Sequence, residues 1–223
     1  MTAILRDGPE IIRRTLSTFM NFRQDSIPVS LILNIDSVGT GSAQDIIKAV
    51  SDLIQIKEIF RPESPSFTRA ACRVWARSDT DYVFNLEDDW EFVNPFSLQD
   101  VVDYLEQNPA VSSVIFEQDG MGDRGDPSFI PFTSMGYPGP PYLLNGSFVR
   151  PLGECLRKCH NIYPSRPNTV IRKSLKSRNL VREKKLAECL ETNSERAIYT
   201  GGIVRDIGRE WIDKTGIRVE KHG

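Results

Sequence analysis

Three adjacent carboxylates, Glu87-Asp88-Asp89, directly follow the apolar run Tyr82–Leu86, and apolar residues resume at Trp90 and Phe92. A buried carboxylate without a partner is so costly that an acidic triplet is not expected inside a strand. We therefore expect the strand to end at the edge of a cleft, where a cation neutralises these side chains. A divalent metal with phosphate ligands fits, because Mg²⁺ binds one or two protein carboxylates and completes its shell with water and phosphate oxygens. An acidic turn after a strand is the alternative.

Two arginines near the end of the chain could bind the phosphates of such a site. Arg205 and Arg209 belong to the segment GGIVRDIGREW, which opens with Gly201-Gly202. A guanidinium group binds phosphate through two parallel hydrogen bonds, and glycine lets the backbone approach an anion closely. The alternative for both arginines is a surface salt bridge to Asp206 or Glu210.

Charge is distributed unevenly along a chain whose net charge is only −2. Residues 81–126 contain twelve acids and one base, whereas residues 150–185 contain eleven bases and two acids. The acidic residues 81–126 would attract cations, and the basic residues 150–185 would attract anions. This distribution suggests a site for metal and phosphate with an anionic partner near it. A solvated basic helix face is the alternative for the later part.

Composition sets the broad class of protein. The 223 residues, 39% hydrophobic and 26% charged, are ordinary for a soluble globular domain and exclude wholesale disorder. No apolar run approaches the roughly 18 residues of a membrane helix. Strand-like sequence begins at Thr2, which leaves no room for a signal peptide, so we predict a cytoplasmic protein.

Alternating strands and helices must position the acidic triplet. Helices are predicted at about residues 9–22, 42–54, 66–77 and 97–107, and strands at Thr2–Arg6, Pro28–Ile35, Ile56–Phe60, Tyr82–Leu86 and Val111–Phe116. This βαβαβ order predicts an α/β fold of the Rossmann-like three-layer α/β/α kind with a mostly parallel central sheet. Ligands of such sheets bind beyond the carboxyl ends of the strands, where the triplet stands.

The second half of the chain is less regular. Ten of the 22 residues from 120 to 141 are Gly or Pro, which indicates a loop that serves as a lid or acceptor platform, or one that is disordered. The pattern then predicts a strand over Tyr142–Arg150 and helical sequence from Pro151 to about Glu191. A strand interrupted by Gly-Gly follows at Ala197–Val204, and a short helix at Arg209–Thr215.

Five segments together resemble a known family: TAILRDGPEIIRRTL, LILNID, SFTRAACRVWA, YVFNLEDDWEF and GGIVRDIGREW. The chain resembles the GT-A type nucleotide-sugar glycosyltransferases, in particular the small family-2-like members of bacteria and phages. The resemblance implies a single GT-A domain, with a nucleotide-sugar-binding half over residues 1–119 and an acceptor-binding half over residues 120–223. It implies transfer of a sugar from a nucleoside-diphosphate sugar, most often UDP-linked in this family, to an acceptor hydroxyl.

The resemblance also implies roles for the acidic triplet. Asp89, with Asp88, corresponds to the metal ligands of the DxD-type motif, for Mn²⁺ or Mg²⁺. Glu87 or Asp88 would lie near the ribose and a metal-bound water. The sequence E-D-D departs from D-x-D, so the division of roles among the three side chains stays open, and some relatives dispense with the metal.

Further nucleotide contacts follow from the same resemblance. Leu5, Arg6 and Asp7 would line the nucleotide, and Asp36 would meet its base. Capping of the turn at 37–41 is the alternative for Asp36. Arg205 and Arg209 would then bind the diphosphate, which departs with a charge that cationic groups stabilise.

An inverting transfer needs a carboxylate base near the acceptor hydroxyl. The candidates are Glu117 and Asp119, at the end of one predicted strand, and Glu154, at the start of a predicted helix. We favour Asp119 because it lies at the carboxyl end of a strand. A retaining mechanism stays open.

The basic segment Arg166–Lys185 would suit a phosphate backbone, so a hydroxylated base in phage DNA is one acceptor, with a glycan or a protein as alternatives. Two other functions compete. Nucleotidyltransferases on a related sheet open with a G-x-G-T-R type loop, which Arg6-Asp7-Gly8-Pro9 does not match. A non-catalytic nucleic-acid-binding module would not need the acidic triplet.

Overall fold

A computed structural model of the chain describes residues 1–4, 9–39, 41–63, 67–121, 125–132, 140–161 and 195–208. These residues form an α/β fold with the element order β1 (Thr2–Ile4), α1 (Glu10–Phe22), β2 (Ser30–Asp36), α2 (Ala43–Val50), β3 (Gln55–Phe60), α3 (Phe67–Arg77), β4 (Tyr82–Asn85), β5 (Trp90–Phe92), α4 (Leu98–Gln107), β6 (Val111–Gln118), β7 (Phe129–Phe132), β8 (Tyr142–Asn145), α5 (Gly146–Asn161) and β9 (Glu195–Asp206). The α/β class and the strand–helix alternation of the first half are confirmed.

The first sheet is parallel, with the order β1-β2-β3. Its central strand β2 buries Leu33 and Ile35 on one face and Asn34 on the other, as expected for a strand covered on both faces. The register places Ile4 beside Asp36 and Asn34 beside Phe60. The carboxyl ends of the strands therefore form one edge, and Asp36 lies on it.

The second sheet is mixed rather than mostly parallel. Its order is β4-β8-β6-β9-β5, with β7 beside β9. Strands β6 and β9 run parallel, whereas β8 is antiparallel to both of its neighbours, and β5 and β7 are antiparallel to β9. Strands that are joined through a helix are expected to pair in parallel. Strands β5, β7 and β8 instead follow turns or loops, and a strand that follows a turn or loop can run antiparallel to its neighbour.

Two predicted elements of the second half differ from the structure. The strand predicted over Tyr142–Arg150 ends at Asn145, whose side-chain oxygen accepts a hydrogen bond from the Ser147 N–H (2.9 Å), and α5 begins at Gly146. An asparagine in this position favours a helix start over a continued strand. The predicted loop 120–141 contains β7, which pairs with β9, and Phe129 of β7 stacks on Tyr104 at 4.0 Å.

Phenylalanine rings from both sides of the acidic triplet join one hydrophobic core. Phe84 of β4 and Phe92 of β5 both pack against Phe19 of α1, with ring centroids 5.3 Å apart in each case. Phe96 and Phe116 complete this cluster. The turn between β4 and β5 is therefore anchored in the core at both ends. Within the described part of the chain, no helix has the length and apolar character needed to span a membrane.

Candidate functional site

The acidic triplet forms the turn that links β4 to β5. Its backbone is fixed on two sides, because the buried Thr15 hydroxyl donates to the Asp88 carbonyl (2.6 Å) and the Ile207 N–H donates to the Asp89 carbonyl (2.9 Å). Thr15 belongs to the first half of α1, the helix that follows the carboxyl end of β1. The turn therefore packs against α1 and lies beside the end of β9.

The Asp89 carboxylate occupies space that only a glycine leaves open. A Cβ atom at Gly208 would collide with its Oδ2, and Gly208 itself donates its N–H to Oδ1 of Asp206 (2.9 Å). Asp88 is only 6% exposed, whereas Asp89 is partly exposed. Among the described residues, no group of three or more His, Cys, Asp or Glu side chains is arranged to hold a metal ion. A metal ion at this turn would therefore need further ligands besides the described side chains.

Arg205 connects the end of β9 to the predicted base. Its Nη2 lies 2.8 Å from Oδ2 of Asp119, and the Asp119 N–H donates to the Val204 carbonyl (2.7 Å). Across the strands Arg205 stands opposite Glu91, which receives two hydrogen bonds from Arg14 (2.9 and 2.8 Å). Asp119 is thus a partner of Arg205 among the described residues, whereas Glu210, one of the alternative partners, lies outside them. The Arg205 side chain is 45% exposed, so it is accessible to a ligand.

Glu117 binds the backbone of β9. Its Oε2 accepts hydrogen bonds from the N–H groups of Gly201 (2.8 Å) and Gly202 (3.0 Å). These two glycines have positive φ angles of 112° and 58°. Successive N–H groups in such a bend form a concave donor pair suited to an anion, which here is the Glu117 carboxylate. That contact gives Glu117 a structural role that its sequence position did not indicate.

Glu154, the third candidate base, lies in the interior of α5 rather than at the start of a helix, because α5 begins eight residues earlier. Helix α5 packs against α3, β4 and β8. The structure therefore brings Glu117 against the middle of β9 and Asp119 against its end, and it places Glu154 on a separate element.

Asp36 belongs to a polar group that the sequence did not reveal. Asn34 donates its side-chain N–H to Oδ1 of Asp36 (2.9 Å), and Arg73 of α3 donates to the Asn34 side-chain oxygen. The Arg73 guanidinium lies over the Phe60 ring at 5.7 Å. Asn34 and Asp36 are both buried. The polar Asn34 inside the apolar run LILNI was the available signal, whereas nothing in the sequence singled out Arg73.

Two aromatic residues in or directly after the predicted loop 120–141 pack into the protein. Tyr142 is buried, and Phe129 packs between Tyr104 and Tyr199. Burial, with a smaller contribution from the charge of Asp100, raises the pKa of the Tyr199 hydroxyl. Among the residues of loop 120–141 that the structure describes, the large apolar side chains of Met121 and Ile130 are exposed, at 74% and 44%.

Several predicted residues lie outside the described ranges. They are Leu5, Arg6 and Asp7 of the nucleotide site, Arg209 of the diphosphate site and the basic segment Arg166–Lys185. Their roles stay predictions.

No protein-family model and no curated protein matches the chain. Solved structures do. S. aureus TarS 1–349 matches with a TM-score of 0.56 at 12% identity, covering 94% of this chain and 60% of that one. A structure of S. aureus TarS gives 0.56 at 11% identity, with coverages of 92% and 36%. TarS 1–349 in complex with UDP gives 0.53 at 10% identity, with coverages of 92% and 59%.

The chain thus spans at most about three fifths of the length of these TarS structures. At such low identity the likeness shows the fold and not the activity. The chain has the α/β fold of these glycosyltransferase structures.

Proposed function

We propose that this protein is a glycosyltransferase that moves a sugar from a nucleoside-diphosphate sugar, carried on UDP, to an acceptor hydroxyl. The observation that carries the proposal is the contact between the acidic turn and the end of β9, which assembles carboxylates and Arg205 on this fold. The likeness to TarS, of which one structure is a complex with UDP, supports the choice of nucleotide. Residues 1–119 would form most of the donor site, with Arg205 and Arg209 added at the diphosphate, and residues 120–223 would also bind the acceptor.

The nucleotide is proposed to extend along the carboxyl edge of the first sheet. Asp36, held by Asn34, would accept hydrogen bonds from the base, and Arg73 and Phe60 would line the same end of the site. Arg205 would bind the diphosphate at the other end, because its guanidinium is partly exposed and suits phosphate oxygens. The sequence adds Leu5, Arg6, Asp7 and Arg209 to this proposal.

A divalent ion, Mn²⁺ or Mg²⁺, is part of the proposal. Asp89 and Asp88 would hold it, with Asp89 the more accessible of the two. Two carboxylates suffice when phosphate oxygens and water complete the shell, so the described residues fit an ion that binds together with the donor. When bound, such an ion would neutralise charge on the departing diphosphate.

Asp119 is our candidate for the base. Its carboxylate would take the proton of the acceptor hydroxyl while that oxygen attacks the anomeric carbon and the bond to the diphosphate breaks. Arg205 holds the Asp119 carboxylate at 2.8 Å and thereby orients it. The Glu117 carboxylate binds the backbone of β9, which supports Asp119 rather than Glu117 as the base.

The basic segment Arg166–Lys185 supports an anionic acceptor, for which we propose nucleic acid carrying a hydroxylated base, as in modified phage DNA. A base within a duplex would have to be flipped out to reach the cleft. Transfer of labelled sugar to hydroxymethylated DNA, with unmodified DNA, a glycan and a protein as competing acceptors, decides this part of the proposal.

The first test of the donor site is calorimetric titration of the protein with UDP, GDP and UDP-sugars, each with and without Mn²⁺. We expect UDP to bind in the presence of Mn²⁺ and GDP to bind more weakly. A protein that binds none of these nucleotides, with or without the metal, would contradict the proposed function.

Thr15→Val is expected to weaken UDP binding several-fold, because the buried Thr15 hydroxyl fixes the Asp88 carbonyl. Loss of such a hydrogen bond also lowers the free energy of unfolding by about 1 kcal/mol. Calorimetry and urea denaturation measure the two effects. Thr80→Val removes a similar hydroxyl-to-carbonyl bond, to Tyr82 at the start of β4, and should leave UDP binding unchanged. Equal affinities of Thr15→Val and the wild type would show that this bond does not position the turn.

A further inference from the structure

The pairing of β6 with β9 changes register at the two glycines. Phe116 lies opposite Tyr199 and Gln118 lies opposite Val204, so β6 advances two residues while β9 advances five. The three extra residues of β9 form a bulge. Without this bulge, the register with β6 would place Arg205 three residues beyond the position opposite Asp119. The bulge therefore decides which residues of β9 meet Asp119 and β5.

Two side chains hold the bulge from opposite sides. Glu117 accepts hydrogen bonds from the N–H groups of Gly201 and Gly202, and the Asn94 side-chain N–H donates to the carbonyls of both glycines (3.0 and 2.9 Å). Asn94 follows β5, and the Val93 N–H donates to the Ile203 carbonyl (2.9 Å). The bulge is thus bound to β6 on one side and to the end of β5 on the other.

The residues beyond the bulge, in the last part of β9 and directly after it, make the contacts with Asp119, β5 and the acidic turn. Arg205 reaches Asp119 and stands opposite Glu91, and Ile207 donates its N–H to the Asp89 carbonyl. A bulge that shifted or flattened would move these groups together, because Arg205 of β9 and Ile207, which follows β9 directly, belong to one continuous segment. Both glycines have positive φ, and because glycine is free to adopt many other conformations, these residues alone do not fix the bend; the hydrogen bonds hold it.

We infer that Asn94 and Glu117 are positioning residues, which set the register of β9 and thereby place Arg205 against Asp119 and the end of β9 against the acidic turn. Glu117, predicted from the sequence as a candidate base, acts through the backbone in this arrangement. The expected effect on UDP affinity rests on the proposed function, whereas the role of these residues in the register of β9 does not.

The register can be measured without a ligand, by hydrogen exchange of the Asp119 and Ile207 amides in the full chain. In Asn94→Asp a carboxylate faces the two glycine carbonyls in place of a donor, and we expect both amides to exchange at least about tenfold faster. The Asn34 amide, bonded to the Met1 carbonyl in the first sheet, should keep its rate and so reports any global unfolding. Asn108→Asp removes a similar side-chain bond, to the Tyr104 carbonyl, and is the matched control.

Nucleotide affinity provides the second readout. Asn94→Asp should weaken UDP binding about tenfold in the wild-type background and about threefold in an Arg205→Ala background, because coupled residues are not additive and only the effect on the acidic turn then remains. Glu117→Ala should behave like Asn94→Asp, whereas Glu117→Gln, which keeps an acceptor oxygen, should stay close to the wild type. A purely structural role would lower stability without this dependence on Arg205.

Unchanged exchange of the Asp119 and Ile207 amides in both Asn94→Asp and Glu117→Ala would overturn the inference. Equal losses of UDP affinity in the two backgrounds would overturn it as well, because the effect would not then pass through Arg205. A wild-type protein that binds no nucleotide contradicts the proposed function instead, and the exchange rates then decide the inference by themselves.

Discussion

Asp89→Ala is expected to weaken the binding of UDP in the presence of Mn²⁺ by roughly 100-fold, and to remove most of the dependence on metal. The reason is that even an outer partner of a metal ligand is worth about 10- to 100-fold in affinity, and Asp89 is the more accessible carboxylate of the turn. Calorimetric titration with and without Mn²⁺ measures both effects. Asp88→Ala should have a smaller effect on the metal dependence, since Asp88 is buried.

Two further variants sharpen this test. Asp52→Ala removes an exposed carboxylate that pairs with Arg13, so it should bind UDP as the wild type does. Gly208→Ala keeps every carboxylate but places a Cβ against Oδ2 of Asp89, so it should reproduce much of the Asp89→Ala defect. Wild-type affinity and metal dependence in Asp89→Ala would remove the acidic turn from the proposed site.

Arg205→Ala is expected to lower the affinity for UDP by about 10- to 100-fold, because a hydrogen bond to a charged group contributes about 1.5–3 kcal/mol. Arg205→Lys should recover little of this loss, since an ammonium group cannot form the paired hydrogen bonds of a guanidinium. The same titration measures both variants. The expected loss should be larger for UDP than for uridine, which has no diphosphate.

The matched control is Arg13→Lys. Arg13 forms a two-bond contact with Asp52 at the surface, so the same substitution there should not change nucleotide binding. A loss in Arg205→Ala that is equal for UDP and uridine would contradict a diphosphate contact. In that case Arg205 would act only through β9 and through Asp119, which lies 2.8 Å away. Asp119 would then be the residue to substitute next.

The sequence by itself determined the local elements of the first half. Helix α1 and strand β2 follow from apolar spacing, and the starts of α2 and α4 follow from Ser42 and Ser97, whose hydroxyls accept hydrogen bonds from the N–H groups of Gln44 and Asp100. These signals are local, because a cap or an apolar face depends on residues within two helical turns. The position of the acidic triplet at the end of β4 was readable for the same reason.

Only the tertiary structure decided how the second sheet is assembled. The insertion of β8 between β4 and β6, the pairing of β7 and the bulge in β9 depend on partners far away in sequence. A local pattern indicates that a segment is a strand, but it does not indicate which neighbour the strand pairs with, or in which direction.

The same reason explains what the sequence left open at the candidate site. It singled out Asp89, Asp119 and Arg205 by residue type and position, and their roles stay predictions. It did not indicate that Arg73 reaches Asn34 or that Asn94 binds the glycines of β9, because 39 residues separate the first pair and more than 100 the second. Hydrogen bonds over such separations are set by the packing of whole elements, which no local pattern encodes.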